Sequence, residues 1–474
     1  MKRRLISVLL AMVMLVAITG CSQKGGNDGV VTLSVLMPGD VQDGWSEVLD
    51  EINKITEEKI GAKIDMQFIN AGSFSEKMRM NMASNTYFDI CFTGYVNNYS
   101  QAVQNGGIMD ITEYIDKHDM RDILPEDVWE AATIDGRIYG VPNYQIVATA
   151  NSLVVFDELA KKYNFDWSAV KNIDDIEPYL AMVKASEPDI YPYRPYYGYG
   201  MWTLDYESIT KMIALPKGSQ SADDLVYLYD TPGFNHGIQQ LHNWYKKGYI
   251  RRDALSMGDD STDYKSGKYA VSNMVWKPGA EVQESTNTGK SVSFVQVENP
   301  YMTRTKCLNT MLALGVNCKN PDKAMEYIKL VNTDKELFNL FVFGIEGKHY
   351  TKENDVVKPI AGGGYNNSGY AWMFGNTFNA YIMEGQQPDV WEQTKKVNDE
   401  SEKSTLIGYV FDNTNVKSEI SNVSTVIAEY KVMEVGSKDP AEYIDTFKQK
   451  LKDAGVENIY DEVKKQLTEY FTAK

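Results

Sequence analysis

Apolar residues recur along this chain at two spacings, every second residue and every third to fourth, and the switches between them mark its elements. Val30 to Met37, VVTLSVLM, is a run of apolar and β-branched residues stopped by Pro38-Gly39-Asp40, and it predicts a buried strand. Trp45 to Ile60 then places Val48, Leu49, Ile52 and Ile55 at helical spacing, and Ala62 to Ile69, AKIDMQFI, alternates as a second strand. Strand, helix, strand is the repeating unit of a layered α/β domain. Ser75 to Ser84 reads as a further helix, and Tyr87 to Tyr95, YFDICFTGY, as a short buried strand ending in a glycine turn. GRIYGVPNYQ gives a turn, a strand and a proline stop before the strand-like IVATANSLVVF. Two extended segments in succession are the means to carry a chain from one lobe into another. Pro321 to Val331 predicts a helix capped by Asn320, with Thr333 placed to cap the next helix. Asp439 to Phe471 is helical in pattern, with a break at Gly455.

One run fits neither spacing. Leu5 to Ile18 is apolar except for Ser7, follows Lys2, Arg3 and Arg4, and ends in Thr19, Gly20 and Cys21, the layout of an export signal. Its length corresponds to about 21 Å of helix against a hydrocarbon core of about 30 Å, too short for a comfortable span. Ile18-Thr19-Gly20-Cys21 resembles the lipobox of bacterial lipoproteins, which implies cleavage before Cys21 and lipidation of its sulfur. On that reading residues 1–20 are a signal and 21–29 a flexible polar tether.

Removing the signal leaves 454 residues, more than one hydrophobic core usually serves, so at least two lobes are expected. The net charge is −17, and −20 once Lys2, Arg3 and Arg4 are gone, which argues against nucleic acid or an anionic membrane surface as partner. Cys91, Cys307 and Cys318 are sparse and odd in number, and they read as buried thiols rather than a disulfide framework. His118, His236, His242 and His349 show no zinc-ligand spacing, so neither metal nor cofactor is called for. Gly-x-Ser-x-Gly, P-loop and dinucleotide signatures are missing where they would matter, and no catalytic residue is assigned.

FDICFTGY, GRIYGVPNYQ, FDELAKKYNFD with NIDDIEPYLAMVKASEPDIYP, and LALGVNCKNPDKAMEYIKLV resemble, in that order, the extracellular solute-binding proteins of ABC importers. The tail from TLIGYVFDNTNVKSEI to ENIYDEVKKQL is similar to a C-terminal domain of unknown function found in a lipoprotein branch of that family. The resemblance implies an α/β fold of two lobes joined by crossing segments, with a helical C-terminal region and ligand held between the lobes. Lobe one would comprise residues 30–142 and 298–345, lobe two 146–295 and 350–474, with hinges near 143–147, 294–300 and 344–350. It also implies a monomeric binder, lipid-anchored at Cys21 on the extracellular face of the cell membrane, that presents an oligosaccharide to an ABC permease. A peptide-binding importer component, a surface glycosidase and a sugar-sensing receptor subunit are the rival readings.

Aromatic composition favours a glycan: 31 Tyr and 8 Trp stand against 16 Phe, and rings with a polar handle suit a pyranose, which has a CH-rich face and a hydroxyl rim. Two clusters stand out, Tyr191 to Asp205 and Gly362 to Tyr381. From them Trp202, Tyr370, Trp372 and Asn376 are candidate ligand contacts. Asp205 serves either as a bidentate acceptor for hydroxyls or as the cap of a helix from Tyr206. Position at strand exits adds Asp40, Trp45, Tyr95, Trp276 and Lys277, and the first crossing adds Asn143, Tyr144 and Gln145. Many of these rings will serve core or lobe packing instead, and Trp276 is as well placed to pin the Pro278-Gly279 turn as to touch ligand.

Overall fold

The computed structural model describes residues 29–94 and 99–474; Cys21, the tether before Gly29, and Tyr95 lie outside them. In chain order the strands of the two main sheets are β1 (Val31–Pro38), β2 (Ala62–Ile69), β3 (Ile90–Gly94), β4 (Val141–Pro142), β5 (Ala148–Phe156), β6 (Tyr191–Arg194), β7 (Tyr269–Trp276), β8 (Val292–Gln296), β9 (Tyr301–Met302), β10 (Thr310–Leu314) and β11 (Glu402–Lys403).

The first sheet has the order β2-β1-β3-β10-β4. β1 runs parallel to β2 and β3, whereas β10 runs antiparallel to β3 and β4. β1 is central, and Val35, Leu36, Met37 and Pro38 are buried in succession because helices cover both of its faces. β2 lies at the edge and keeps the alternation read from its sequence: Ala62, Ile64 and Met66 point inward, Lys63, Asp65 and Gln67 outward. Helix Trp45–Ile60 ends at Gly61 in the left-handed region, φ 63°, which satisfies its last carbonyls.

The second sheet has the order β11-β9-β5-β7-β6, with β8 pairing the outer half of β5. One face packs Leu153, Val155, Tyr193 and Val271 against Trp244 and Leu180; the other packs Val154, Phe156, Tyr269 and Val292 around Tyr264. A further core joins a small sheet at residues 206–227 to the C-terminal helices through Phe234, Phe447, Val463 and Leu467.

The chain leaves the first sheet at β4, crosses through 143–147 into β5, and returns from β9 through the short helix Arg304–Cys307 to β10. The return expected near 294–300 comes later, because Val292–Gln296 and Tyr301–Met302 both pair with β5 in the second sheet, and a last crossing expected near 344–350 is corrected as well. Tyr350, Val357, Tyr365, Phe374 and Ala380 all pack into the core of the first sheet, and helix Val390–Glu400 carries the chain over to β11. The Gly-rich stretch at 344–347 leads into a hairpin of Tyr350–Glu353 with Val356–Pro359, whose two turn residues, Asn354 and Asp355, both take positive φ. That is the backbone of a two-residue hairpin loop, and it folds the chain back onto lobe one. Two caps also differ from expectation. The Asn320 side chain makes no capping bond, and Asp334 rather than Thr333 accepts from the Leu337 N–H.

Candidate ligand-binding cleft

The strand ends of both sheets converge on the crossings. Trp276, last of β7, stands opposite Ala150, three residues beyond Val147, and Thr310, first of β10, stands opposite Gly94, last of β3. The Asn143 N–H donates to the Thr310 carbonyl at 2.9 Å, so the carboxyl ends of β3 and β7 both sit beside the crossing strands, where open α/β sheets bind ligands.

On the lobe-one side, Asn143 is buried and its Nδ2 donates to the carbonyls of Trp372 (3.1 Å) and Met373 (3.0 Å). Those bonds hold the turn Ser368–Met373 over β3, where the Trp372 ring meets Phe92 at 6.3 Å between centroids. Trp372 is half-buried and its Nε1 donates to Gly369 O, while Tyr370 beside it is 57% exposed. The same loop is tied to the β1 exit by Gln42, which accepts from the Asn366 N–H and donates to Asn367 Oδ1. Asp40 is exposed at that exit and accepts from Asn70 Nδ2. Gln145 donates to Thr310 Oγ1 at 2.8 Å, and Tyr144 is buried against Phe378 at 4.8 Å.

On the lobe-two side, Trp276 is half-buried and donates to Glu281 Oε1. Lys277 is half-buried too, and burial pushes its pKa down. Deeper in, Lys306 donates to the carbonyls of Thr149 (2.9 Å) and Tyr301 (2.7 Å), and burial lowers its pKa to about 8. Lys217 pairs with Glu298 at 2.9 Å. Burial raises the Glu207 carboxyl against the bonds it accepts from Ser404 and Tyr301.

Four candidates serve other ends. Trp45 is buried in the first core, edge-on to Phe68 at 5.0 Å and stacked with Tyr365. Trp202 packs against Trp244 and closely over Gly233 and Gly237, with its Nε1 donating to Asp174. Asn376 Oδ1 caps the turn Thr377–Asn379. Asp205 is exposed, and Tyr206 starts a strand, so no helix is there for it to cap. Tyr370, Trp372, Asn143, Gln145, Trp276 and Lys277 are the candidates brought around the crossings. Thr310, Arg304 and Lys306 also stand at the crossings and were missed, although TRTK shortly ahead of the apolar strand marks two cations in a crossing segment. A groove of about 780 Å³ between Trp167 and β8 holds none of these residues, which places it on the outer edge of the second sheet.

Residues 51–341 match the pattern of bacterial extracellular solute-binding proteins, and residues 405–472 match a domain of unknown function. A carbohydrate ABC transporter substrate-binding protein of Streptococcus pneumoniae is 30% identical, over 96% of this chain and 94% of its own. The chain belongs to the bacterial extracellular solute-binding protein family. The N-glycan transport solute-binding protein of the same organism superposes with a TM-score of 0.83 at 27% identity, over 93% of this chain and 99% of that one. Its complexes with Man1GlcNAc and Man5GlcNAc superpose at 0.78 and 0.75, each at 28% identity and covering 93% and 94% of this chain and 99% of theirs. This solute-binding protein is therefore two-lobed and a binder rather than an enzyme. No helix among the described residues is long and apolar enough to cross a membrane.

Proposed function

We propose that this solute-binding protein captures an oligosaccharide between its two lobes and presents it to an ABC permease, while a lipid on Cys21 keeps the monomer at the membrane. The observation that carries the reading is relationship along nearly the whole chain to a carbohydrate substrate-binding protein, with glycan complexes among its structural relatives. The ends of two sheets, a turn bearing Tyr370 and Trp372, and the half-buried Gln145 amide at a crossing offer stacking area and hydrogen-bonding groups together, which is what sugars require. Closure then follows from ligand contacting both walls, which favours the closed state by the added contact energy.

Titration calorimetry across oligosaccharides and peptides tests the reading. Micromolar or tighter heats with glycans alone support it; folded protein that binds peptides and no glycan overturns it. Replacing Cys21 by Ala should release the protein from membranes with its affinity in solution unchanged.

A further inference from the structure

Among the described residues, partly buried Lys and Arg side chains are, with two exceptions, paired. Every half-buried lysine among the described residues apart from Lys277 has an oxygen partner. Arg194 and Arg251 each present the fork of Nε and Nη2 to one aspartate carboxylate, Asp260 and Asp253. Both exceptions stand at the cleft. The Lys277 ammonium has no hydrogen-bond or ion partner among the described residues. Arg304 uses only Nη1, which donates to Ser100 Oγ at 3.4 Å, while its Nε and Nη2 are hidden from solvent and unpartnered.

Strand register ties the two together. Extending the β7–β5 pairing by one residue sets Lys277 beside Thr149, Thr149 pairs with Tyr301 on its other side, and Arg304 follows three residues later. Both cations thus flank one end of the second sheet, and Arg304 reaches across to Ser100 in lobe one, close to the carboxyl end of β3. The carboxylates nearby are engaged elsewhere, Glu281 by Trp276 and Glu298 by Lys217 and Asn151. For Arg304, whose Nε and Nη2 are hidden from water, the lack of a counter-charge is costly, and hydroxyls of a neutral sugar do not supply one.

We propose that the oligosaccharide taken by this cleft is acidic, its carboxylate supplying the counter-charge that Lys277 and Arg304 lack. The proposal rests on the oligosaccharide reading above. A guanidinium fork receives a carboxylate through two parallel hydrogen bonds, as Arg194 and Arg251 do within this chain, and an ammonium adds a point charge from the other side of β5.

The test is calorimetry with oligosaccharides ending in a uronic or sialic acid, each compared with the same oligosaccharide after its carboxylate is converted to a primary amide. The acid should bind about tenfold tighter or more at low salt, the equivalent of one charge-assisted pair, with the preference shrinking as ionic strength rises. Lys277→Gln should reduce the preference several-fold in folded protein. Arg304→Lys keeps the charge without the fork, and should weaken the acid several-fold more than it weakens the amide. Equal affinity for acid and amide overturns the acidic ligand and leaves the oligosaccharide reading standing; failure to bind either member of any pair overturns both. A full acid preference retained in Lys277→Gln and Arg304→Lys together removes these residues from the assignment.

Discussion

Replacing Asn143 by Ala deletes two hydrogen bonds with one atom, because Nδ2 is the donor to both the Trp372 and Met373 carbonyls. Each bond contributes about 1 kcal/mol net, and a buried carbonyl left without a donor costs about 1–3 kcal/mol. Against that, Asn143 Oδ1 is itself buried without a partner, so its removal returns on the order of 1 kcal/mol. The balance is a loss of about 2 kcal/mol, read as a lower urea midpoint at unchanged m-value by far-UV circular dichroism. Asn143→Asp should cost more than Ala, since a carboxylate there sets acceptor against acceptor in a buried site. Because the lost bonds hold the turn carrying Tyr370 and Trp372, glycan affinity should fall as well, although the Asn143 side chain is turned away from solvent. An Ala variant within about 0.5 kcal/mol of the parent, or an Asp variant as stable as the parent at pH 7, would refute the claim that this amide anchors the aromatic turn.

Further outcomes follow from other residues. Gly94 has φ +106°, and a Cβ there would lie 2.6 Å from the carbonyl oxygens of Leu308 and Asn309, so Gly94→Ala should cost about 2–3 kcal/mol in the same unfolding assay. Tyr370→Ala should leave stability nearly unchanged and weaken glycan binding by about 1 kcal/mol, the reverse of Trp202→Ala, which should destabilise lobe two without a direct effect on binding. Burial raises the folded-state pKa of Glu207 above its unfolded value of 4.5, so the folded protein holds that proton more tightly. The corresponding stability is present below the unfolded pKa and is lost as pH rises through the folded one. Glu207→Gln should therefore gain relative to the parent between pH 4 and pH 8, and a pH-independent difference would count against the buried carboxyl.

Strands and helices with a clean period were legible from sequence, and so was the order of layers. β2 shows why: an edge strand with one covered face must alternate, and AKIDMQFI does. The third crossing was not legible, because the hairpin at 350–359 and a lobe exit both begin with a glycine turn, and only the burial of Tyr350 and Val357 separates them. Among site residues, aromatic identity carried little information. Trp45, Trp202 and Trp372 look alike in a sequence, yet only Trp372 stands by the crossings, since the orientation of a ring depends on contacts such as Trp45 with Tyr365, some 320 residues away. Lys277 was legible from its strand-exit position, whereas its lack of a partner, and that of the Arg304 fork, shows only when the partners of every other partly buried cation are known.

Phe92 on β3 pairs with Leu312 on β10, so the middle of the first sheet joins residues 220 positions apart. An extracellular chain crosses the membrane in order and N-terminus first. β1, β2 and β3 would then wait outside, with one side of β3 unpaired, until the second-lobe stretch 148–302 has followed. The main sheet of that second lobe is drawn mostly from one continuous stretch, 148–302, and can close sooner. Long-range pairing of this kind slows folding and leaves strand edges open to other chains. In biosynthesis, the vulnerable interval for this protein is therefore the delay between emergence of Gly94 and arrival of Thr310, and any foldase or chaperone serving it outside the membrane would find its client there.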